Sequence, residues 1–226
     1  MRKIYKMSVG IATAALLVGG LAACSTTAET PAETSPSASE NVTPEPVASI
    51  PALDGVDTQV TLDAGFVEAL GTLGLTPGVI GGATLSDEGV LAFPITGGNV
   101  DYYDPAADYR PYVQGEIDHE GSGISLTAGD TVVELTDFVI DPGTSRLTGT
   151  VTANGEKVGD DIFIFNLDGS TLNPLATDAD GNAVLEGTTV LVSPDAADLL
   201  NTTFGTDAVT DELVVGIAKI TAKAAA

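Results

Sequence analysis

Between Gly89 and Gly155 the sequence alternates short apolar runs with turn-forming residues, and this pattern limits the possible folds more than any other feature. The runs consist of Val, Ile, Leu, Phe, Tyr and Thr, and they are separated by Gly, Asp, Asn and Pro. Such runs are typical of β-strands joined by tight turns. Long helices do not alternate with these strands, which argues against a parallel sheet. The pattern therefore predicts an all-β fold, either an antiparallel β-sandwich or a partly open barrel.

Two short helices are predicted beside the strands. The first covers 65–73, with Asp63 as its N-cap and Gly74 just after its C-terminus. The second begins after Ser193, with a proline at its first position, and ends at Gly205. We expect the two helices to cover the open ends of the sandwich or barrel.

Three local departures from regular strands are also predicted. A shift in the alternation of apolar residues indicates a β-bulge near Asp137. The pair Asn154-Gly155 predicts a hairpin turn. The segment Thr76-Pro77-Gly78 predicts a turn after the first helix.

The first 23 residues are typical of a secretory signal, with a basic start and a short apolar run. At the end of this signal, Leu21-Ala22-Ala23-Cys24 resembles the lipobox of bacterial lipoproteins. That resemblance implies cleavage before Cys24 and lipidation (diacylglyceryl, palmitate) of this residue. The expected location is the cell membrane, lipid-anchored on its extracytoplasmic face. The alternative is an ordinary signal peptide with an incidental cysteine.

Residues 24–54 are rich in Ser, Thr, Pro and Glu and predict a disordered tether, followed by a β-rich domain over 55–226. The chain has a formal net charge of −24, with 8 Lys and Arg against 32 Asp and Glu. Nucleic acid is excluded as a partner, because its binding depends on neutralising phosphates with basic residues. The acidity is interpreted as a source of solubility, with cation binding as the alternative.

The only histidine, His119, is the first candidate site residue. It falls on the apolar face of its predicted strand, where a neutral imidazole could ligate haem iron or a metal. The alternative is a structural histidine hydrogen-bonded at a strand end.

A cluster of tyrosines and acids forms the second candidate, as a ligand-binding surface. The alternative is a structured loop that packs on the sheet. Tyr102 and Tyr103 are its candidate cofactor-binding residues, and its other members are Asp104, Asp108, Tyr109, Arg110 and Tyr112.

No catalytic or metal-binding motif is complete. The segment 178–182 resembles a calcium loop only superficially, because its glycine is in the wrong position, and it predicts a hairpin turn. No nucleophile motif, phosphate loop or dinucleotide fingerprint is present. The predicted site therefore includes no catalytic residue and no metal ligand.

The central stretch resembles the HtaA-type haem-binding domain of actinobacterial envelope proteins. The resemblance implies a β-rich, sandwich-like domain with a small-ligand site, in which His119 takes the place of a family histidine. Where the family has a haem-ligating Tyr, position 69 is Ala, and the chain has no Trp, which the family has in its first strand. The matching motifs are Phe93-Pro94-Ile95-Thr96-Gly97-Gly98, 113–119, Ile124-Ser125-Leu126, Ile140-Asp141, Leu147-Thr148-Gly149 and Leu167-Asp168-Gly169-Ser170.

We therefore expect a lipid-anchored envelope protein that is not an enzyme and acts as a binding or interaction module without a cofactor. Haem or another envelope protein is its candidate partner. The alternative is capture of haem or another small ligand with His119, and the third is a hydrolase with His119 as base. Haem capture predicts an open apolar pocket beside His119, whereas an interaction module predicts a filled core there. A hydrolase requires a serine and an acid within hydrogen-bond reach of the imidazole.

Overall fold

Antiparallel strands dominate the computed structural model, which describes residues 43–225. The predicted signal peptide over 1–23, Cys24 and most of the tether lie outside the described residues. Within residues 43–225, no helix is long and apolar enough to cross a membrane. The strands are β1 (Ala48–Ile50), β2 (Leu53–Leu62), β3 (Thr76–Gly81), β4 (Thr84–Leu85), β5 (Val90–Pro94), β6 (Gly97–Tyr102), β7 (Val113–Ala128), β8 (Thr131–Asp141), β9 (Arg146–Ala153), β10 (Glu156–Asp168), β11 (Ala176–Thr177), β12 (Ala183–Val192) and β13 (Val214–Ala224).

The sheet has the strand order β1-β6-β7-β8-β9-β10-β12-β13-β2-β5-β4, and it curls because β5 and β6 belong to opposite ends of this order. Only Ile95 and Thr96 join β5 to β6. The Ile95 amide donates to the Val56 carbonyl at 3.3 Å, and the Thr96 amide donates to the Asp118 carbonyl at 2.8 Å. This short connection brings the two ends together, so the sheet forms a curled half-barrel. The predicted all-β, antiparallel fold with two short helices is confirmed.

Both helices begin and end where their capping residues predict. In α1 (Ala64–Leu73), the Asp63 carboxylate accepts a hydrogen bond from the Gly65 amide at 2.8 Å, and Gly74 adopts a left-handed conformation with φ of 66°. In α2 (Pro194–Phe204), Ser193 caps the first turn and Gly205 ends the helix in the same way. Side chains from both helices line one small cavity, so the helices cover the same part of the half-barrel and not two opposite ends.

The bulge and hairpin predictions are confirmed, but the turn predicted at residues 76–78 is wrong. The register between β8 and β9 shifts after Thr136, next to Asp137, whose φ is 53°. Ala153 pairs with Glu156 across the Asn154-Gly155 turn. Residues 76–78 begin β3, where Pro77 pairs with Leu126 of β7. β3 pairs only with β7, and such an edge position tolerates the missing amide hydrogen of a proline.

The sheet also begins earlier than the predicted domain boundary at residue 55. β1 pairs with β6, with Ile50 opposite Val100. β2 starts at Leu53, whose side chain is buried. Ile50 and Leu53 are isolated apolar residues at the end of a polar segment. Their packing stabilises strands that the composition of this segment does not predict.

The core fills the inside of the curl. Its most buried side chains come from the long central strands: Ile117 of β7, Val133 of β8, Val151 of β9 and Ile164 of β10. Such central strands fix the positions of the side chains between them, His119 included.

Candidate functional site

His119 lies on β7 opposite Phe138 of β8, immediately before a shift in the register of these two strands. Its side chain is 1% exposed. The ring of Phe93 packs against the imidazole edge to face, with 6.5 Å between ring centroids. His119 therefore lies on the buried, apolar face of its strand, as its sequence position predicts.

Both ring nitrogens of His119 are engaged within the protein. Nδ1 lies 3.2 Å from the Phe138 carbonyl oxygen, which can only accept, so Nδ1 carries the proton. Nε2 lies 2.8 Å from the Thr58 hydroxyl and accepts its hydrogen. Burial lowers the pKa of His119 to about 4, so the ring is neutral at pH 7.

The space beside His119 is nearly filled. A cavity of about 40 Å³ adjoins the ring, and pockets for small organic ligands are typically about 300–1,000 Å³. Neither ring nitrogen contacts a serine or a carboxylate. In this conformation, His119 therefore offers no open position to haem iron and no base for a serine.

Position 69, where the HtaA-type family has its haem-ligating Tyr, lies in a similarly tight region. Ala69 lines a cavity of about 30 Å³ between α1, α2 and the sheet. Phe66 borders both this cavity and the one beside His119. Leu and Ile side chains and the Phe66 ring fill the region, so a porphyrin does not fit there.

A third cavity is large enough for a ligand. It has a volume of about 750 Å³, and we call it the open cavity. Ile140, Leu167 and Ala218 line both the open cavity and the cavity beside His119, so these three side chains separate them. The other apolar residues of its wall are Pro111, Val113, Ile117, Pro142, Leu172, Leu185, Leu191 and Ile220.

Polar and charged residues complete the lining of the open cavity. They come from the loop before β7, the β8–β9 turn, the end of β10, the short 3₁₀ turn after it and β12: Arg110, Tyr112, Ser145, Asn166, Asp168, Ser170 and Thr188. Apolar walls with a few polar groups are the usual composition of small-molecule sites.

The predicted tyrosine cluster divides into two parts. Tyr112 lines the open cavity, and its ring packs against that of Tyr102 with 5.9 Å between centroids. Tyr102 is buried, and its hydroxyl accepts a hydrogen bond from the Leu175 amide at 3.4 Å. Tyr103 pairs with Tyr109 instead, at 4.7 Å. Burial, followed by the proximity of Tyr109, raises the pKa of Tyr103.

Arg110 holds the loop of this cluster in place. Its guanidinium donates hydrogen bonds to the carbonyl oxygens of Pro105, Ala107 and Tyr109 at 2.7–2.8 Å. It also lies over the ring of Tyr112, 5.5 Å from the ring centroid. Burial and the neighbouring Tyr102 raise the pKa of Tyr112, while Arg110 lowers it.

The segment 178–182 is the predicted hairpin turn, between β11 and β12. The Asp178 carboxylate accepts hydrogen bonds from the amides of Asp180 and Asn182 and from the Asn182 side chain. These bonds lower its pKa, the bond from the Asn182 side chain most of all. Among residues 43–225, no group of three or more His, Cys, Asp or Glu side chains is placed to hold a metal ion.

The sequence did not reveal most of the open cavity. Its walls combine residues from β7, β10, β12 and β13 with the loop before β7, which are far apart in the chain. Two kinds of signal were available. Arg110 and Tyr112 of the predicted tyrosine cluster lie in the lining, and so do residues of the HtaA-type motifs, above all Leu167-Asp168-Gly169-Ser170.

Comparisons with known proteins give structural similarities only. No family model matches the sequence, and no curated protein matches it. The structure is similar to the C-terminal domain of HtaA from Corynebacterium glutamicum, with 15% identity and a TM-score of 0.49 over 77% of this chain and 99% of that chain. A domain-swapped dimer of a variant of that domain gives 15% identity and a TM-score of 0.41 over 70% and 90%.

The haem-binding protein HtaB from the same organism gives 7% identity and a TM-score of 0.34 over 78% of this chain and 96% of that chain. The HtaA-type domain, which the sequence motifs resemble, is thus among the solved structures to which this chain is similar.

Proposed function

We propose that this protein captures a small, predominantly apolar molecule in the open cavity, while Cys24 anchors the chain to the extracytoplasmic face of the cell membrane. The observation that carries the binding role is the cavity itself, about 750 Å³ with largely apolar walls. This size lies within the range of about 300–1,000 Å³ that is usual for small-molecule sites. The anchor is supported by the Leu21-Ala22-Ala23-Cys24 sequence.

Ligand capture accounts for this cavity better than an interaction module without a ligand. A domain that only packs against other proteins does not need a large apolar space within its fold, and protein interiors are otherwise close-packed. The core beside His119 follows that rule, with a cavity of about 40 Å³. This contrast between the two regions of one half-barrel supports the open cavity as the ligand site.

Haem is one molecule to test in this cavity, and HtaB, to which the structure is similar, is a haem-binding protein. Tyr112 is the lining residue whose hydroxyl could meet iron. The raised pKa of Tyr112 favours its phenol form over the phenolate that binds iron. Haem capture here therefore requires Tyr112 to lose its proton on binding.

A variant that fills the cavity tests the proposal. Ile220 lies on β13 and lines the open cavity, and Ile220→Trp places a large ring in the ligand space. Ile217 lies on the same strand, is 42% exposed and does not line the cavity. Ile217→Trp therefore introduces the same side chain without blocking the site.

The measurement is titration of the full chain with an environment-sensitive apolar fluorophore and, separately, with haem. Saturable binding that Ile217→Trp retains and Ile220→Trp loses is the expected result. Equal binding by both variants would place the ligand elsewhere and overturn the proposal, as would no saturable binding of any apolar probe. A Soret shift that survives His119→Gln and disappears in Tyr112→Phe would identify haem as a ligand of this cavity.

A further inference from the structure

The lining of the open cavity is apolar in its interior and charged at its rim. Its buried lining residues are apolar, as Val113, Ile117 and Leu185 show. Its two charged lining residues, Arg110 and Asp168, are both exposed and have opposite signs. A molecule that fills the cavity therefore meets hydrocarbon inside and one charge of each sign where the cavity meets solvent.

The Arg110 guanidinium is held in place, but its charge is not paired. It donates three of its five N–H groups to carbonyl oxygens of its own loop, which are uncharged acceptors. It forms no ion pair within residues 43–225, although Asp104 and Asp108 belong to the same loop. Two N–H groups of a cation in a fixed position therefore remain for an anionic partner.

Asp168 is the negative counterpart at the end of β10. Its carboxylate accepts a hydrogen bond from the Ser170 amide at 2.8 Å. Hydrogen bonding from Ser170 lowers the pKa of Asp168, so the carboxylate is ionised at pH 7. Asp168 likewise has no ion-pair partner in the part of the chain that the structure describes. Because a carboxylate offers about four lone-pair sites, most of its capacity is left for a cationic partner.

The two segments that carry these charges are in contact. The Arg110 guanidinium lies over the ring of Tyr112, and that ring packs against Tyr102. The Tyr102 hydroxyl accepts a hydrogen bond from the amide of Leu175, which follows Asp168 in the chain. Arg110 and Asp168 nevertheless do not pair with each other. Opposite charges that line one cavity without pairing are both available to a ligand that lies between them.

We propose that the ligand is a zwitterionic amphiphile, with a hydrocarbon chain in the interior of the open cavity, an anionic group beside Arg110 and an ammonium group beside Asp168. This inference rests on the proposed function and specifies its ligand class. A purely anionic head would be repelled by Asp168, and a purely cationic head by Arg110. A zwitterionic head has no net charge, so the net charge of −24 does not repel it from the protein.

Four amphiphiles with the same twelve-carbon chain and different heads separate these cases. Dodecylphosphoethanolamine is zwitterionic, dodecyl methyl phosphate carries only the anion, dodecylammonium carries only the cation, and dodecylglycerol is neutral. Each is used below its micellar range, to displace an apolar fluorophore from the full chain at physiological salt. The Debye length is then about 8 Å, so groups at the rim outweigh the overall charge of the protein.

Dodecylphosphoethanolamine is expected to bind tightest, by about two- to fivefold over each singly charged analogue, which is the usual contribution of a solvent-exposed ion pair. This advantage is expected to shrink as the salt concentration rises. Equal or tighter binding of any of the other three amphiphiles would overturn the inference.

Neutralising one rim charge at a time tests which group each charge meets. Arg110→Gln is expected to weaken dodecylphosphoethanolamine and dodecyl methyl phosphate by about two- to fivefold, and not dodecylammonium. Asp168→Asn is expected to weaken dodecylphosphoethanolamine and dodecylammonium by a similar factor, and not dodecyl methyl phosphate. The asparagine oxygen still accepts the Ser170 amide hydrogen, so the turn after β10 is retained.

Two matched control variants lie outside the cavity. Arg146 also lies over an aromatic ring, that of Phe163, and the Asp178 carboxylate also accepts a hydrogen bond from the amide two residues later. Neither residue lines the open cavity. Arg146→Gln and Asp178→Asn are therefore expected to leave all four affinities unchanged. If they act as strongly as the rim variants, the effects come from overall charge and the inference fails.

The neutral dodecylglycerol separates an effect of charge from a change in the Arg110 loop. Its affinity is expected to be the same in the unmodified chain, in Arg110→Gln and in Asp168→Asn. If Arg110→Gln weakens dodecylglycerol as much as dodecylphosphoethanolamine, Arg110 only shapes the loop and the inference fails.

The two proposals fail in different ways. If Ile220→Trp leaves the binding of all four amphiphiles intact, the open cavity is not the ligand site and the proposed function fails. If Ile220→Trp abolishes binding but dodecylglycerol competes as well as dodecylphosphoethanolamine, the cavity is the site and only the ligand class is wrong.

Discussion

His119 is expected to make this protein less stable as the pH is lowered. Burial lowers the pKa of its imidazole from the ordinary 6.5 to about 4. Between these two pH values the unfolded chain binds a proton at His119 that the folded protein does not bind. The free energy of unfolding contributed by this residue is therefore complete above pH 6.5 and falls as the pH is lowered towards 4.

The magnitude follows from the size of the pKa difference. Each pKa unit corresponds to about 1.4 kcal/mol, so the loss between pH 7 and pH 4 is about 3 kcal/mol. His119 is 1% exposed, so little of this effect is screened by solvent. A loss of this size is a large part of the total stability of about 5–15 kcal/mol that is usual for a domain.

The assay compares the protein with His119→Gln by urea denaturation at several pH values between 7 and 4. The glutamine amide has one donor and one acceptor group for the Phe138 carbonyl and the Thr58 hydroxyl but does not titrate. Carboxylates titrate in both proteins, so their contribution cancels in the difference. Far-UV circular dichroism reports unfolding, since the chain contains no Trp.

The stability difference between the two proteins is expected to shift by about 3 kcal/mol in favour of His119→Gln between pH 7 and pH 4. The single histidine also gives a direct check, because its ring proton signals in NMR spectra are expected to stay constant from pH 7 to pH 5. A constant stability difference, or a midpoint near 6.5 in the folded protein, would refute the burial of a neutral imidazole.

Two further predictions concern packing and the anchor. Gly123→Ala would overlap the Leu135 carbonyl oxygen and approach Thr136 Cα to 2.8 Å, so we expect a loss of about 1–3 kcal/mol in urea denaturation. Gly169→Ala, with no atom within 4 Å of the added methyl group, is the control, and equal losses would contradict this packing. Metabolic labelling with a palmitate analogue in a bacterial host is expected to mark the chain and to be lost in Cys24→Ser; labelling that persists in the variant would rule out Cys24 as the anchor.

Local features of the fold were predictable because neighbouring residues determine them. The helix caps Asp63 and Ser193 satisfy amides within their own first turns. The hairpin at Asn154-Gly155 likewise depends on the backbone conformations of two residues. In contrast, β3 exists because residues 76–81 pair with β7, some 45 positions later (Val79 opposite Ile124), and its own sequence indicates a turn.

The candidate site was less predictable, because its geometry comes from long-range packing. Alternation along β7 correctly placed His119 on the buried face. Whether space remained beside it depended on Thr58, Phe93 and Phe138, which are brought together by three different strands. The open cavity likewise lies between strands that are far apart in the chain. No single segment of the sequence therefore predicts it.

The pairing of β2 with β13 has a consequence for how the protein is made. Gly216 of β13 lies opposite Leu62 of β2, 154 residues earlier in the chain, and β13 also separates β2 from β12. The sheet therefore cannot be completed until nearly the whole chain has been synthesised. Contacts at such a separation form slowly, because a long loop must close first. Closure of the sheet through β13 is therefore expected to be a late step in folding.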